Sequence, residues 1–469
     1  MKSIKFKPTA IEIPAGEPFK NDLLARKDSA EILTEFIASL DEPFVLAIDS
    51  PWGTGKTTFL KMWLQYAQNQ KFQCLNFNAW ENDFSDSPLV SLIGELGAGV
   101  SAMRLGDEQT KLAHKVFEKT KKAGAALIKT ALPTAIKLAT SGLVDLSDVA
   151  NLAEEIAKKE IDKYQADKTT IAHFRQELEG LVKSIAVKNE KSQSQPIIFV
   201  IDELDRCRPT YAIELLEKIK HLFSVKGLVF VLAIDKRQLC ESVKALYGAG
   251  MDADGYLRRF IELEYRLPQP DIKKFVEAQF SRYGLDKVLA GKTNQTHHEY
   301  GHLNQILPEL FQLFGFSLRV QEQIFTQLSV VIRTTAANFF LYSFHLCLLI
   351  CLRITNRDLY FHYVEGTATP NQVMDFLKNY PRGEEFVASR SGCVLETHLI
   401  LGISDWKKRE AAVNAIKSKA NTDANNNSTD SRAREIVQNF QWVGQYADDM
   451  TKYLVRKIEL SQRFVKESE

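Results

Sequence analysis

Residues 50–58, with the sequence SPWGTGKTT, have the residue types and spacing of a loop that binds phosphate. The segment fits the pattern GxxxxGK[ST], except that Ser50 stands at the first glycine position. Gly53 and Gly55 would let the main chain approach phosphate oxygens, so that consecutive backbone N–H groups can surround them. The positive end of the following helix would point at the same oxygens. The alternative is a glycine turn that merely precedes a helix.

Two side chains of this loop have more specific predicted roles. Lys56 would neutralise the β- and γ-phosphates of a nucleoside triphosphate, and the Thr57 hydroxyl would be a ligand of Mg²⁺. Lys56 is therefore both a predicted nucleotide contact and a predicted catalytic residue. The predicted nucleotide contacts in the loop are Ser50, Trp52, Gly53, Thr54, Gly55, Lys56, Thr57 and Thr58.

Asp202 and Glu203 follow the apolar run of residues 197–201. Carboxylates at the end of a buried strand are costly unless they meet a cation or a water-lined site. We predict that Asp202 holds Mg²⁺, together with Thr57, and that Glu203 orients or deprotonates an attacking water. The alternative is a strand that surfaces into an acidic helix start, since acids also favour helix N-termini. Together with the loop, the two acids indicate hydrolysis of ATP with Mg²⁺.

Other polar residues are weaker candidates for the same site. Asp235 follows the apolar run 229–234, where it could sense the γ-phosphate or simply cap the next helix. Arg259, or its neighbour Arg258, could bring positive charge to the γ-phosphate, from the same chain or from a neighbouring subunit. The alternative for both is a surface helix with two arginines. Arg319 is a further, weaker candidate.

The elements that must position these residues are short apolar runs at residues 44–48, 73–78, 196–201 and 229–234, which alternate with helical patterns. Such a pattern predicts a parallel sheet that is buried on both faces. A sheet of this kind binds its ligands at the carboxyl ends of its strands. The predicted chemistry-bearing residues follow those ends.

The sequence predicts three regions. An α/β core comprises residues 1–95 and 195–270, and a helical insert of residues 96–194 separates the phosphate loop from Asp202. Residues 271–469 are predicted to form a C-terminal helical domain. The polar stretch near 420–431 is predicted to be a flexible linker.

Composition limits the possible partners and compartment. With 60 basic and 59 acidic residues, the net charge of +1 gives no global electrostatic case for nucleic acid. The 6 cysteines show no paired spacing, and the first residues contain no apolar leader, so we expect a cytoplasmic protein. The apolar run 336–352 is slightly short of a membrane span, so a buried helix is favoured.

Several segments, taken in order, resemble the KAP family of P-loop NTPases. The aromatic WG inside the loop and the apolar run before DELDRCRP are the more specific features, and the resemblance covers about residues 20–270. The segments are SPWGTGKTTFLKMW, FNAWENDFSDSPLVSLIGEL, IIFVIDELDRCRPTYAIELLEKIKHLF, VFVLAIDKRQL and YLRRFIELEYRLPQP.

The resemblance implies an ATPase with an additional strand in its parallel sheet. It implies nucleotide contacts at residues 53–58, Mg²⁺ at Thr57 and Asp202, and an activating acid at Glu203. The step Leu24-Ala25-Arg26 resembles the family's entry motif near the adenine, with alanine where glycine is usual, and so adds Arg26 to the nucleotide contacts.

Many members of this family carry transmembrane helices between the two nucleotide motifs. Here lysines interrupt the insert, so soluble helix packing is favoured over contact with a membrane surface or a peripheral position at the inner face of the membrane. Bacterial relatives in this family are linked with phage exclusion or defence.

Two functional hypotheses follow. The first is a molecular switch that hydrolyses ATP and whose nucleotide state controls the helical domain or a partner. The second is an ATP-stabilised scaffold with little turnover that assembles partner proteins. Glu203 favours the first, because a scaffold has no need of a water-activating acid. Both hypotheses imply a homo-oligomer or a partner protein.

Overall fold

The computed structural model describes residues 11–103, 105–131, 146–187, 194–291, 296–336, 340–422, 431–443 and 450–462. These residues form two compact units, which are Ile11–Gln269 and Pro270–Glu469. Most of the predicted linker near 420–431 lies outside the described residues, as do Pro133 and Lys137 of the insert.

The first unit contains a parallel sheet and the helices that cover it. The strands are β1 Phe44–Asp49, β2 Cys74–Asn78, β3 Ile197–Asp202, β4 Leu228–Ile234 and β5 Leu263–Arg266. The helices are α1 Lys27–Ala38, α2 Lys56–Asn69, α3 Pro88–Ala102, α4 Asp107–Ala131, α5 Leu146–Ile185, α6 Pro209–Leu222, α7 Lys236–Tyr247 and α8 Ala253–Leu257. A turn of 3₁₀-helix, Leu204–Arg206, follows β3.

The strands lie in the order β2-β3-β4-β1-β5, and each neighbouring pair is parallel. Strand β4 therefore lies between β1, which leads into the phosphate loop, and β3, which ends at Asp202. This is the additional strand that the resemblance implied, and the predicted α/β fold is confirmed. Strand β5 was not predicted from the sequence.

Apolar side chains alternate between the two faces of the sheet, as the period of an extended strand requires. On one face, Leu46 and Ile48 of β1 pack in a core with Trp63 of α2. On the other face, Phe199 of β3 and Phe230 of β4 stack with ring centroids 5.2 Å apart. Burial of each such side chain contributes about 1.5–3 kcal/mol to folding. The two cores join the sheet to the helices that cover its faces.

Within the residues described, the predicted insert contains α4 and α5, which pack on each other. The end of α5 enters the sheet core, and Phe174 contacts Phe223 edge to face at 5.5 Å. Helix α3 runs across position 96, so the predicted start of the insert falls inside a helix. Among the helices described, none is both long enough and apolar enough to cross a membrane.

All the regular elements described in the second unit are helices. Its buried centre includes α13, in which every residue from Ser343 to Leu352 is buried. The apolar run 336–352 thus contributes a core helix. The helices are α9 Ile272–Arg282, α10 Leu285–Ala290, α11 Thr296–Phe314, α12 Leu318–Thr334, α13 Ser343–Thr355, α14 Arg357–Val364, α15 Pro370–Lys378, α16 Gly383–Ala388, α17 Arg390–Leu401, α18 Trp406–Thr422, α19 Ser431–Val443 and α20 Met450–Gln462.

Candidate nucleotide-binding site

The loop between β1 and α2 has the backbone of a phosphate cradle. Gly53 and Gly55 have φ angles of 75° and 83°, in the left-handed region that side-chain-bearing residues avoid. Ser50, at the position of the first glycine, is not among the described residues with positive φ, so its side chain causes no backbone strain. Its hydroxyl shares a hydrogen bond of 2.6 Å with the Thr54 hydroxyl. The serine therefore braces the loop.

Lys56 begins α2 and lies inside this loop, with only 8% of its surface exposed. Its Nζ donates a hydrogen bond of 2.9 Å to the Ser50 carbonyl oxygen. Burial lowers the pKa of Lys56, and Asp205 and Asp202, followed by other acids, oppose that shift. A buried ammonium group at the start of a helix is well placed to meet phosphate oxygens. Thr58, in the same helical turn, is half-buried.

The structure brings the two predicted Mg²⁺ ligands together. The Thr57 hydroxyl donates a hydrogen bond of 2.9 Å to Oδ2 of Asp202. Oδ1 of Asp202 accepts the backbone N–H of Glu203, also at 2.9 Å. Burial raises the pKa of Asp202, while the Thr57 hydrogen bond and Lys56 lower it. A hydroxyl and a buried carboxylate side by side are hard oxygen donors that fit Mg²⁺ bound with a nucleotide.

Glu203 adopts a left-handed backbone with φ of 62°, which is unusual for a residue with a side chain. Its Oε1 pairs with Nη1 of Arg206 at 2.7 Å. Its Oε2 accepts a hydrogen bond of 3.2 Å from Nδ2 of Asn78, the last residue of β2. Strained backbones cluster at functional sites, where the surrounding contacts hold them in place. Neither Asn78 nor Arg206 was predicted, although both lie in segments that carry the family resemblance.

Two further acids connect to Trp52 of the loop. Oδ2 of Asp235 accepts the Trp52 backbone N–H at 3.2 Å, and its Oδ1 caps α7 through the N–H of Gln238 at 3.5 Å. Asp235 thus acts as the helix cap that was the alternative prediction, and it also contacts the loop. The carboxylate of Asp205 accepts the Trp52 indole N–H. Asp205 is buried and was not predicted.

Arg26 carries a buried guanidinium in the first unit, with 2% of its surface exposed. Its Nη2 donates to the carbonyl oxygen of Pro268 at 3.4 Å. Within the described part of the chain, Nε and Nη1 have no hydrogen-bond partner. Burial lowers the pKa of Arg26 to about 10, against the opposing charges of Asp22 and Tyr265. An incompletely satisfied buried cation is consistent with a ligand-facing role.

The other candidate arginines are exposed. Arg259 lies over the ring of Tyr256 at 5.8 Å, and Arg258 pairs with Asp254 at 2.5 Å. Neither has a described contact with the phosphate loop. Arg319 is an exposed residue of α12 in the second unit. The first unit therefore brings together Lys56, Thr57 and Asp202, and no contact of Arg258 or Arg259 with them is described.

A cavity of about 600 Å³ opens beside the loop. Its walls include Ser50 and Asp49 at the end of β1, Asp235 after β4, and Arg266 at the end of β5. This volume is in the range of small-molecule sites. Lys56 and Asp202 do not line it, so the cavity adjoins the groups predicted to face phosphate and does not contain them.

The chain is similar in sequence to a curated protein, the phage T7 exclusion protein of Escherichia coli strain K12, with 22% identity over 361 residues. The match covers 75% of this chain but 46% of the relative, so the chain spans about half the length of that protein.

Two solved structures have a weaker likeness. The Aeropyrum pernix ORC2 protein, in its ADPNP–ADP complexes, is 11% identical, with 97% of this chain and 95% of that chain covered at a TM-score of 0.30. A DNA replication initiation factor is also 11% identical, with 92% of each chain covered at a TM-score of 0.26. These TM-scores are too low to support an argument about this chain.

The sequence model of the KAP family P-loop domain matches residues 26–366. The match includes the loop, both acids and the whole sheet, and it continues into the second unit as far as α14. Family similarity therefore extends beyond the 20–270 segment in which the motifs were recognised. The match covers well over half of the chain, which is enough to assign the chain to the family. The chain belongs to the KAP family of P-loop NTPases.

Proposed function

We propose that this chain binds ATP with Mg²⁺ at residues 50–58 and hydrolyses it. The contact that carries the proposal is the 2.9 Å hydrogen bond between Thr57 and Asp202, which joins the phosphate loop to the acid at the end of β3. When bound, Mg²⁺ would neutralise charge on the phosphates, and Thr57 and Asp202 are the residues that would hold it.

Each residue of the site has a distinct role in this proposal. The backbone N–H groups around Gly53 and Gly55 bind the phosphates, and Lys56 supplies the positive charge that the leaving β-phosphate and the γ-phosphate require. Glu203 accepts a proton from the attacking water. Asp235 fixes the loop through the Trp52 backbone N–H, and Arg26 contributes to nucleotide binding.

We propose further that hydrolysis makes the chain a molecular switch, whose nucleotide state controls the helical unit or a partner protein. Loops held by a γ-phosphate relax after hydrolysis, which is the physical basis of such switches. The similarity to a phage T7 exclusion protein supports a role in defence against phage.

Phosphate release by the purified chain tests the proposal, in parallel with binding of a fluorescent ATP analogue. We expect Glu203→Gln to bind the analogue like wild type and to lose turnover by a factor of about 10²–10⁴. Lys56→Ala should weaken binding about tenfold to a hundredfold, because a charge-assisted contact is lost. Lys61→Ala is the matched control, since Lys61 is exposed on the same helix.

The outcomes separate the two functional hypotheses. If wild type binds the analogue but releases phosphate no faster than Glu203→Gln, the ATP-stabilised scaffold replaces the ATPase. If wild type does not bind the analogue with Mg²⁺, the nucleotide site itself is wrong.

A further inference from the structure

The carboxylate of Glu203 is engaged at both of its oxygens. Arg206 holds Oε1 at 2.7 Å, and Asn78 holds Oε2 at 3.2 Å. The ion pair is sheltered, because the side chains of Arg206 and Glu203 are 25% and 14% exposed. A general base needs an oxygen that is free to receive a proton from water. In this arrangement, Glu203 is restrained by its neighbours.

Arg206 is itself in contact with a residue at the protein surface, Trp80. Its guanidinium carbon lies 5.6 Å from the ring centroid of Trp80, in the arrangement of a cation–π contact. Trp80 is 53% exposed. One face of its ring is therefore committed to Arg206 while much of the side chain meets solvent. This contact links an exposed residue to the base through a single intermediate side chain.

Residues 79–87, the aromatic segment, are tied to the strand ends and are not a loose loop. Oδ1 of Asn78 accepts the backbone N–H groups of Trp80 and Glu81 at 3.1 Å and 3.2 Å. Nε of Arg208 pairs with Oδ1 of Asp83 at 2.8 Å, and the Arg208 backbone N–H donates to Oδ2 at 2.8 Å. Asn78 thus contacts both the aromatic segment and Glu203, so a shift of the segment reaches the base by two routes.

We propose that Arg206 is a positioning residue that restrains Glu203, and that Trp80 keeps Arg206 in the restraining position. The proposal rests on the proposed ATPase function and adds its regulation. Displacing Trp80 weakens the hold on Arg206, Arg206 leaves Oε1, and Glu203 is released to act on water. Binding of ATP is unaffected, because neither residue contacts the phosphate loop in the part of the chain described.

The test compares turnover and ATP affinity for Arg206→Ala, Arg206→Lys, Trp80→Ala, Trp80→Phe and the double variant with both alanines. Arg206→Ala should raise kcat about fivefold, the rate equivalent of a partly exposed ion pair, with an unchanged Kd for ATP. Arg206→Lys and Trp80→Phe should stay near wild type. Trp80→Ala should raise kcat less than Arg206→Ala does.

The double variant should turn over no faster than Arg206→Ala, because the two residues act in series. Phe84→Ala is the matched control: Phe84 is 84% exposed in the same aromatic segment, and its loss should leave kcat unchanged. A fall of kcat in Arg206→Ala would overturn the restraint and make Arg206 a supporting residue. Additive effects of the two alanine substitutions would overturn the role of Trp80.

A second measurement does not depend on turnover. The melting temperatures of Arg206→Ala, Glu203→Ala and their double variant form a thermodynamic cycle. If the ion pair is formed as described, the loss of melting temperature in the double variant is smaller than the sum of the single losses. Additive losses would refute the contact even in a chain that releases no phosphate. Absent phosphate release together with non-additive losses would instead refute only the ATPase proposal.

Discussion

The hydroxyl of Thr57 donates a hydrogen bond of 2.9 Å to the carboxylate of Asp202, a residue 145 positions further along the chain. Thr57 lies in the first turn of α2, and Asp202 is the last residue of β3. Strand β4 separates β1 from β3, so the contact spans the width of one intervening strand. The helical insert leaves the sheet and returns to it between these two residues, and their proximity is a product of strand order.

Asp202→Asn tests two effects of this carboxylate, which are its effect on stability without ligand and its part in stabilisation by Mg²⁺ and ATP. Because burial raises the pKa of Asp202, folding is less favourable when this carboxylate is ionised than when it is protonated. Removing the charge should therefore raise the free energy of unfolding without ligand. The same change should abolish the extra stability that Mg²⁺ and ATP confer. Thermal unfolding with and without Mg²⁺ and ATP measures both.

The raised pKa of Asp202 also predicts how stabilisation by Mg²⁺ and nucleotide depends on pH. Stabilisation by Mg²⁺ and nucleotide should weaken as the pH falls through the raised pKa of Asp202, since a protonated carboxylate is a poor ligand. Asp28→Asn, at an exposed aspartate in the first turn of α1, should leave the stabilisation by Mg²⁺ and nucleotide unchanged. Unchanged stabilisation in Asp202→Asn would exclude this residue from the metal site.

Gly55→Ala should damage the loop through its backbone. At a φ of 83°, a side chain costs about 1–2 kcal/mol, so stability falls and ATP affinity falls with it. Gly94→Ala is the control: a Cβ added in α3 meets no atom within 4 Å, and alanine should stabilise that helix by about 0.5–1 kcal/mol. Denaturant unfolding and ATP titration check the pair. A Gly55→Ala variant as stable as wild type would contradict the left-handed loop geometry.

Arg26→Met tests whether a buried cation is kept for the nucleotide. Replacing the charge with an apolar side chain of similar length should raise the free energy of unfolding by about 1–4 kcal/mol. The reason is that the substitution removes two guanidinium nitrogens that are buried without a described hydrogen-bond partner. ATP affinity should fall about tenfold to a hundredfold. Calorimetric unfolding and ATP titration give the two numbers. A stabilised variant that binds ATP normally would leave Arg26 without a nucleotide role.

Arg259→Ala tests catalysis from a neighbouring chain. Since Arg259 is exposed and has no described contact with the loop of its own chain, ATP affinity should not change. Wild-type turnover per chain should rise with protein concentration, and Arg259→Ala should lose about a hundredfold of the rate reached at high concentration. Arg258→Ala is the comparison, because that guanidinium is already paired with Asp254. Turnover that is independent of concentration and unaffected by Arg259→Ala would remove Arg259 from the catalytic residues.

The main elements of the fold could be read from local patterns. Apolar runs in β1, β3 and β4 mark strands that are buried on both faces, and the spacing of glycines and Lys56 marks the loop that follows β1. Strand β5 was not predicted, because its residues, LEYR, are half-exposed at the edge of the sheet and carry charges where a central strand has apolar side chains. An edge strand has one solvated side and therefore leaves a weaker pattern.

The sequence alone determined the chemical groups of the site, because the types and short-range spacing of Gly53, Gly55, Lys56 and Thr57 carry their function locally. Only the tertiary structure decided which distant groups meet them. In the folded chain, Asn78 and Arg206 contact the two carboxylate oxygens of Glu203. The Trp52 indole N–H donates to Asp205, and Arg259 is exposed. These contacts depend on strand order and on the turn after β3, and short-range spacing does not encode which strand ends become neighbours.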